Sequence, residues 1–186
     1  AAGVGIGRQL RDALRRAGVD GPELTKRIAV LDSRGLLVAG RPTRDIYKKE
    51  FAWPEALVSE VGLDPAGQNM LLDVVRALKP TVLIGTSGQP RTFDEETLRT
   101  MAKHVERPAV FPFSNPTSKC EAWPQDILEW TDGRALVASG SPFDPVEYAG
   151  EVQDEPGMLS ALGRQGRDRV LVDPKVVPPA GWPHVG

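Results

Sequence analysis

The chain has 186 residues, 23 basic against 25 acidic for a formal net charge of -2, and 40% of them are hydrophobic. That length suits one domain with a real core, the charge balance argues against nucleic-acid and polybasic membrane roles, and no apolar run approaches the roughly 20 residues that span a bilayer. The single cysteine, Cys120, excludes an intrachain disulfide and a cysteine zinc cluster, and it fits a reducing, cytoplasmic setting.

The chain opens at Ala1 without Met, and Ala1-Ala2-Gly3-Val4-Gly5 reads like the inside of a glycine loop. The expectation is a piece of a longer polypeptide whose upstream part has been lost. Apolar residues at Val4, Leu10, Ala13, Leu14 and Ala17 predict a helix over 3–17, broken by the stretch 18–22. Residues 27–32 form an apolar run ending on Asp32 and predict a buried strand of a parallel sheet; 36–38 predict a hairpin edge. Residues 41–67, with Lys48, Lys49, Phe51 and Trp53, are expected as a long polar connection. Met70, Leu71, Val74, Val75 and Leu78 predict a helix that stops before Pro80. The next buried strand is predicted at 81–85, running into the loop 86–90. Thr92 and Glu95 have capping-box spacing and predict a helix through Lys103. A strand at 108–113, the turn Ser114-Asn115-Pro116-Thr117, a short helix from Pro124 to Trp130 and a last strand at 135–139 follow. This alternation is the pattern of an α/β fold with a parallel sheet and right-handed crossovers. The segment 151–186, with five Pro and five Gly in 36 residues, is expected to be irregular.

Ligands of open parallel sheets bind beyond the carboxyl ends of the strands, so the residues after each strand are the candidates. Each predicted strand runs into small, polar or turn-forming residues. Gly3 fits the third glycine of a dinucleotide fingerprint, with the first helix offering its unpaired amides to a pyrophosphate. An ordinary turn is the plainer alternative. Asp32, 29 residues after Gly3, suits the two hydroxyls of an adenosine ribose, or a solvated strand end. Ser33, Arg34, Lys48 and Lys49 leave NAD and NADP both open. Asn115 can donate and accept through its amide, or simply close a turn that caps its strand. His104 reads as a surface residue or helix C-cap, and His184 falls in the irregular segment. Cys120 reads as structural, Trp53, Trp123 and Trp130 as packing residues, and no spacing suits a metal or a Ser/His/Asp set.

Taken together, the string resembles malic enzyme. Ser114-Asn115-Pro116-Thr117-Ser118-Lys119 and Gly133-Arg134-Ala135-Leu136-Val137-Ala138-Ser139-Gly140-Ser141-Pro142-Phe143 carry the resemblance. So do Leu31-Asp32-Ser33-Arg34-Gly35-Leu36-Leu37, Lys79-Pro80-Thr81-Val82-Leu83-Ile84-Gly85 and Glu106-Arg107-Pro108, all in the family's order over about 1–150, in the manner of its large bacterial, NAD-linked type. The resemblance implies a Rossmann-like, doubly wound, mainly parallel α/β domain over 1–150, truncated at its amino end, with a Pro/Gly-rich tail over 151–186. Malic enzymes oxidise malate with NAD(P)+ and decarboxylate the product to pyruvate and CO2, aided by Mg or Mn. By resemblance, Ala1, Ala2 and Gly3 belong to the pyrophosphate loop, Asp32 with Ser33 to the ribose site, and Gly85, Thr86, Ser87 and Gly88 to the nicotinamide half. Asn115 would reach both nicotinamide and malate.

The family's catalytic Tyr and Lys and its acidic metal ligands come from sequence before the glycine loop, so no catalytic or metal residue is assigned in this chain. The isolated chain is expected to be inactive, and the full-length protein to be a cytoplasmic homo-oligomer without nucleic-acid or membrane partners. Downstream the family continues into a Gly-Gln-Gly-Asn-Asn loop, whereas this chain runs Glu151-Val152-Gln153-Asp154-Glu155-Pro156, which reads as a shifted frame or a fused segment. Two alternatives stay open: a non-catalytic folded remnant or interaction module, and the cofactor domain of another NAD(P)-dependent dehydrogenase.

Overall fold

A computed structural model describes residues 2–42, 45–144, 146–148 and 151–153. Ala1, His184 and the rest of the expected irregular segment lie outside the described residues.

Helix α1, Ala2–Arg16, forms where predicted, but its expected stripe is buried only at Val4: Leu10 is exposed, Gly7 is the other buried position, and Arg15 and Arg16 stand at its carboxyl end, where cations suit the helix dipole. The predicted break at 18–22 is shorter than expected. Helix α2, Gly21–Arg27, already starts inside it, because Pro22 sits in the first turn, where its missing N–H is not needed.

The strand predicted at 27–32 is corrected. Arg27 closes α2, and only β1, Leu31–Asp32, is a strand; it pairs antiparallel with β2, Gly35–Leu36, rather than parallel within the main sheet. The turn between them decides this: Gly35 stands at φ +90, and the Arg34 amide donates to Asp32 Oδ1 at 2.9 Å. Burial on both faces is nonetheless present. Ile28 and Val30 pack on the cluster of Val4, Leu37 and Phe51, while Ala29 and Leu31 pack on that of Leu36, Val38, Trp53, Leu57, Val58 and Val74. This is the period-two alternation of an extended chain.

The stretch expected as a polar connection is also corrected. It contains a 3-10 turn, Lys49–Phe51, and helix α3, Glu55–Glu60. Trp53 is fully buried, and its indole N–H donates to the Ile28 carbonyl at 3.0 Å. A few apolar anchors outweigh the polar average of the segment.

Helix α4, Leu71–Leu78, turns Val75 toward one core cluster and Val74 toward another. Strands β3 (Val82–Gly85), β4 (Ala109–Pro112) and β5 (Leu136–Val137) form a parallel sheet in the order β3-β4-β5, with Val82 opposite Ala109 and Ala109 opposite Leu136. The crossovers are α5, Glu95–His104, and α6, Pro124–Trp130. Leu83, Val110, Leu98, Met101 and Ile127 fill the space between these helices and the sheet. The cap of α5 is Asp94, which accepts from the Thr97 amide, and not Thr92, whose hydroxyl donates to the Gln89 carbonyl. Asp94 wins because it stands one residue before the first helical turn. Trp130 packs on this core as expected, but Trp123 is about half exposed beneath the Arg91 guanidinium, 5.0 Å from its ring centre. A last hairpin joins β6, Val146–Tyr148, to β7, Glu151–Gln153, so the first residues of the segment expected as irregular are paired strand.

Candidate functional site

The parallel register places the carboxyl ends of β3 and β4 side by side, and the loops that follow them meet over one side chain. Glu121, between the 3-10 turn Thr117–Lys119 and α6, is fully buried. Its Oε1 accepts from the Ser87 amide at 2.8 Å, the Ser87 hydroxyl at 2.9 Å and the Ser114 hydroxyl at 2.5 Å. Its Oε2 accepts from the Ser114 amide at 3.3 Å. The Ser114 hydroxyl accepts in turn from the Gly88 amide at 2.9 Å. A Cβ at Gly85 would stand 2.5 Å from the Glu121 carboxyl carbon, so residue 85 is glycine because the carboxylate occupies its side.

The network continues to the loop after β5. The Asn115 amide nitrogen donates to the Gly140 carbonyl at 2.6 Å, and its Oδ1 accepts from the Ser141 hydroxyl. Ser141 and Ser139 are buried, the Ser139 hydroxyl donating to the Ser141 carbonyl at 2.8 Å. Asn115 therefore ties two neighbouring strand ends together while remaining exposed. It keeps a second N–H and a second lone pair for an external partner.

The amino end of α1 abuts the first of these loops: a Cβ at Gly3 would lie 2.7 Å from the Thr86 hydroxyl oxygen. Further along, α1 packs through Gly7 against the Phe51 ring, and the Arg11 guanidinium lies 4.9 Å from that ring's centre. The turn containing Phe51 follows Lys48, whose ammonium pairs with Asp32 Oδ2 at 3.1 Å. Burial alone would raise the Asp32 carboxyl, but the Arg34 amide and then Lys48 outweigh it and hold the group below the usual carboxylate range. Each carboxylate oxygen has one partner and one acceptor direction left.

Gly3, Thr86, Ser87, Gly88 and Asn115 thus fall into one connected group. Among the described residues, Asp32 and Ser33 join it only indirectly, through Lys48 and the packing of α1 on Phe51. Ala2 opens α1, exposed, and Ala1 lies outside the described residues. Ser33 is exposed in the hairpin turn. Gly85 faces Glu121 rather than open space. Sequence reasoning missed Glu121, Ser114 and Ser141 as organisers of the rim; the one available signal was a lone acid between Cys120 and Ala122 just ahead of a helix. Cys120 is buried, and burial, first among its causes, pushes its thiol up, as suits a structural residue. His104 ends α5 on the surface. Among the described residues, no three His, Cys, Asp or Glu side chains converge as a metal set, and no helix is long and apolar enough to cross a membrane.

Comparison with known proteins decides which family built this rim. The family model described as malic enzyme, NAD binding domain, matches residues 1–157. The chain belongs to the malic enzyme family. It is 47% identical over 150 residues to NAD-dependent malic enzyme 3 of Bacillus subtilis, covering 80% of this chain and 26% of that protein. It is 44% identical over 151 residues to the NAD-dependent malic enzyme of Acinetobacter baylyi, covering 81% and 26%. With that of Sodalis glossinidius the identity is 45% over 150 residues, again covering 81% and 26%. The chain thus spans about a quarter of the length of these relatives. The helices and parallel sheet are those of a Rossmann-like α/β domain of malic enzyme type.

Proposed function

We propose that this chain is the nucleotide-binding part of a protein that oxidises malate with NAD+ and decarboxylates the product to pyruvate and CO2. The observation that carries the reading is the close approach of Gly3 to Thr86. It sets the amino end of α1, with its free amides and positive dipole end, beside the loop that follows β3. A dinucleotide fits this rim. Ala1, Ala2 and Gly3 hold the pyrophosphate, Asp32 with Ser33 accepts the ribose hydroxyls, Thr86, Ser87 and Gly88 flank the nicotinamide half with Gly85 backing them against Glu121, and Asn115 reaches the nicotinamide and malate. Bound NAD supplies the hydride acceptor. Among the described residues no acidic set converges on a divalent ion, and Mg or Mn is assigned to no residue of this chain. The unit spans 1–150, with 151–186 outside the site, and the whole protein acts as a cytoplasmic homo-oligomer.

Calorimetry with the 186-residue chain tests the reading, with NADP as the comparison. NAD is expected to bind saturably, and Asp32→Ala to weaken it by about 1–3 kcal/mol. No heat and no thermal shift at millimolar NAD would overturn the nucleotide site. Equal affinity of variant and parent would overturn the ribose assignment alone.

A further inference from the structure

We infer that Glu121 is a positioning residue for dinucleotide binding: its buried carboxylate sets the conformation of the loop after β3 and couples it to the Asn115 loop. The inference rests on the proposed nucleotide site and extends it to a residue that touches no ligand there.

Burying a carboxylate is costly unless its oxygens are satisfied. Among the described residues, the donors to Glu121 are the amides and hydroxyls of Ser87 and Ser114, with no Lys or Arg in the set. A neutral apolar residue would fill the same volume more cheaply, so the arrangement calls for a purpose beyond packing. A carboxylate only accepts, which fixes the direction of every bond around it. Both hydroxyls must donate inward to Glu121. Their lone pairs are then left to accept outward, the Ser114 hydroxyl from the Gly88 amide at 2.9 Å and the Ser87 hydroxyl from the Gln89 amide at 3.1 Å. One buried group therefore directs the amides of Ser87, Gly88 and Gln89. Gly88, held at φ +66, has nothing within 4 Å of the place where a Cβ would stand, so the loop is pinned from within and open on its outer side.

The same group reaches Asn115. The single Ser141 hydroxyl proton is shared, donated chiefly to Asn115 Oδ1 and more weakly, at 3.4 Å, to the Ser114 carbonyl. Glu121, Ser114 and Ser141 thus form one polar path from the β3 loop to the Asn115 amide.

The test is Glu121→Gln in the 186-residue chain. Glutamine keeps the shape but sets an NH2 against the Ser114 amide if its oxygen stays at the Oε1 position. NAD binding is expected to weaken at least about tenfold, because one lost buried hydrogen bond plus an opposed donor costs that much or more. Amide hydrogen exchange at Ser87 and Gly88 is expected to quicken by a similar factor, while the amides of Val110 and Met101 in the core keep their protection. A merely structural role would lower protection at all four sites together. Unchanged NAD affinity, unchanged exchange at Ser87 and Gly88, or uniform loss of protection each overturns the inference. Should Glu121→Gln fail to fold, Ser114→Ala removes the hydroxyl between Gly88 and Glu121, and the same outcomes decide. A parent chain that binds no NAD overturns the nucleotide reading instead, whereas a parent that binds and a variant that binds equally well overturns only this inference.

Discussion

Asp32 closes a turn and holds a lysine with one carboxylate, and each oxygen keeps an acceptor direction for the proposed ribose. Its Oδ1 closes the β1–β2 turn through the Arg34 amide, and its Oδ2 holds Lys48. Because the folded-state carboxyl is held below its unfolded value, it contributes stability that is present above about pH 3.9 and lost as pH falls through the lower folded value. Urea denaturation should therefore find the parent more stable than Asp32→Asn near about pH 6, with the gap closing toward about pH 2. A gap that widens on acidification would contradict the sign. Asp32 was legible in the sequence because an acid ending an apolar run is conspicuous. Glu121 was not, since its Ser87 partner lies 34 residues away and only the fold brings the two together.

At the scale of elements, α1 depends on which of its glycines face a neighbour. A Cβ at Gly7 would stand 2.9 Å from the buried Phe51 ring, while Gly5 on the same helix has nothing within 4 Å. Alanine gains up to about 1 kcal/mol of helix propensity at either position, but at Gly7 it must also displace an aromatic ring, an overpacking cost of about 1–3 kcal/mol. Urea denaturation should show Gly5→Ala stabilising and Gly7→Ala destabilising, by up to about 1 and about 2 kcal/mol respectively. Equal effects would mean that Phe51 yields freely. Helices α1 and α4 announced themselves by periodicity, strands β3, β4 and β5 by short apolar runs, α5 by the spacing of Thr92 and Glu95, and α6 by Pro124 at its start. The stretch 41–67 did not. Its buried residues Phe51, Trp53, Leu57 and Val58 sit in a largely polar segment, and the β1–β2 pairing was settled by a turn residue rather than by the apolar run before it.

For the whole molecule, α4 matters most, because Val74 and Val75 point into different clusters and join the parallel sheet to the packing around Trp53. The nucleotide reading and the alternative of a folded interaction module part at this scale. The chain matches a quarter of each relative's length, so activity should require the remainder. Mixing the chain with a separately expressed malic-enzyme region that normally precedes it should yield NADH from malate, measured by absorbance. Stable association without NADH would favour the interaction module.

By itself the sequence determined the α/β class, the three parallel strands and the family, and it singled out Gly3, Asp32 and Asn115 as candidates, because short-range periodicity and compact motifs record local geometry. Only the tertiary structure decided that Leu31–Asp32 pairs antiparallel rather than within the parallel sheet, that Leu57 and Val58 are core, that Gly85 makes room for a carboxylate, and that Glu121 joins two loops. Those outcomes depend on which side chains share a volume, and residues far apart along the chain carry no mark of meeting until the backbone closes around them.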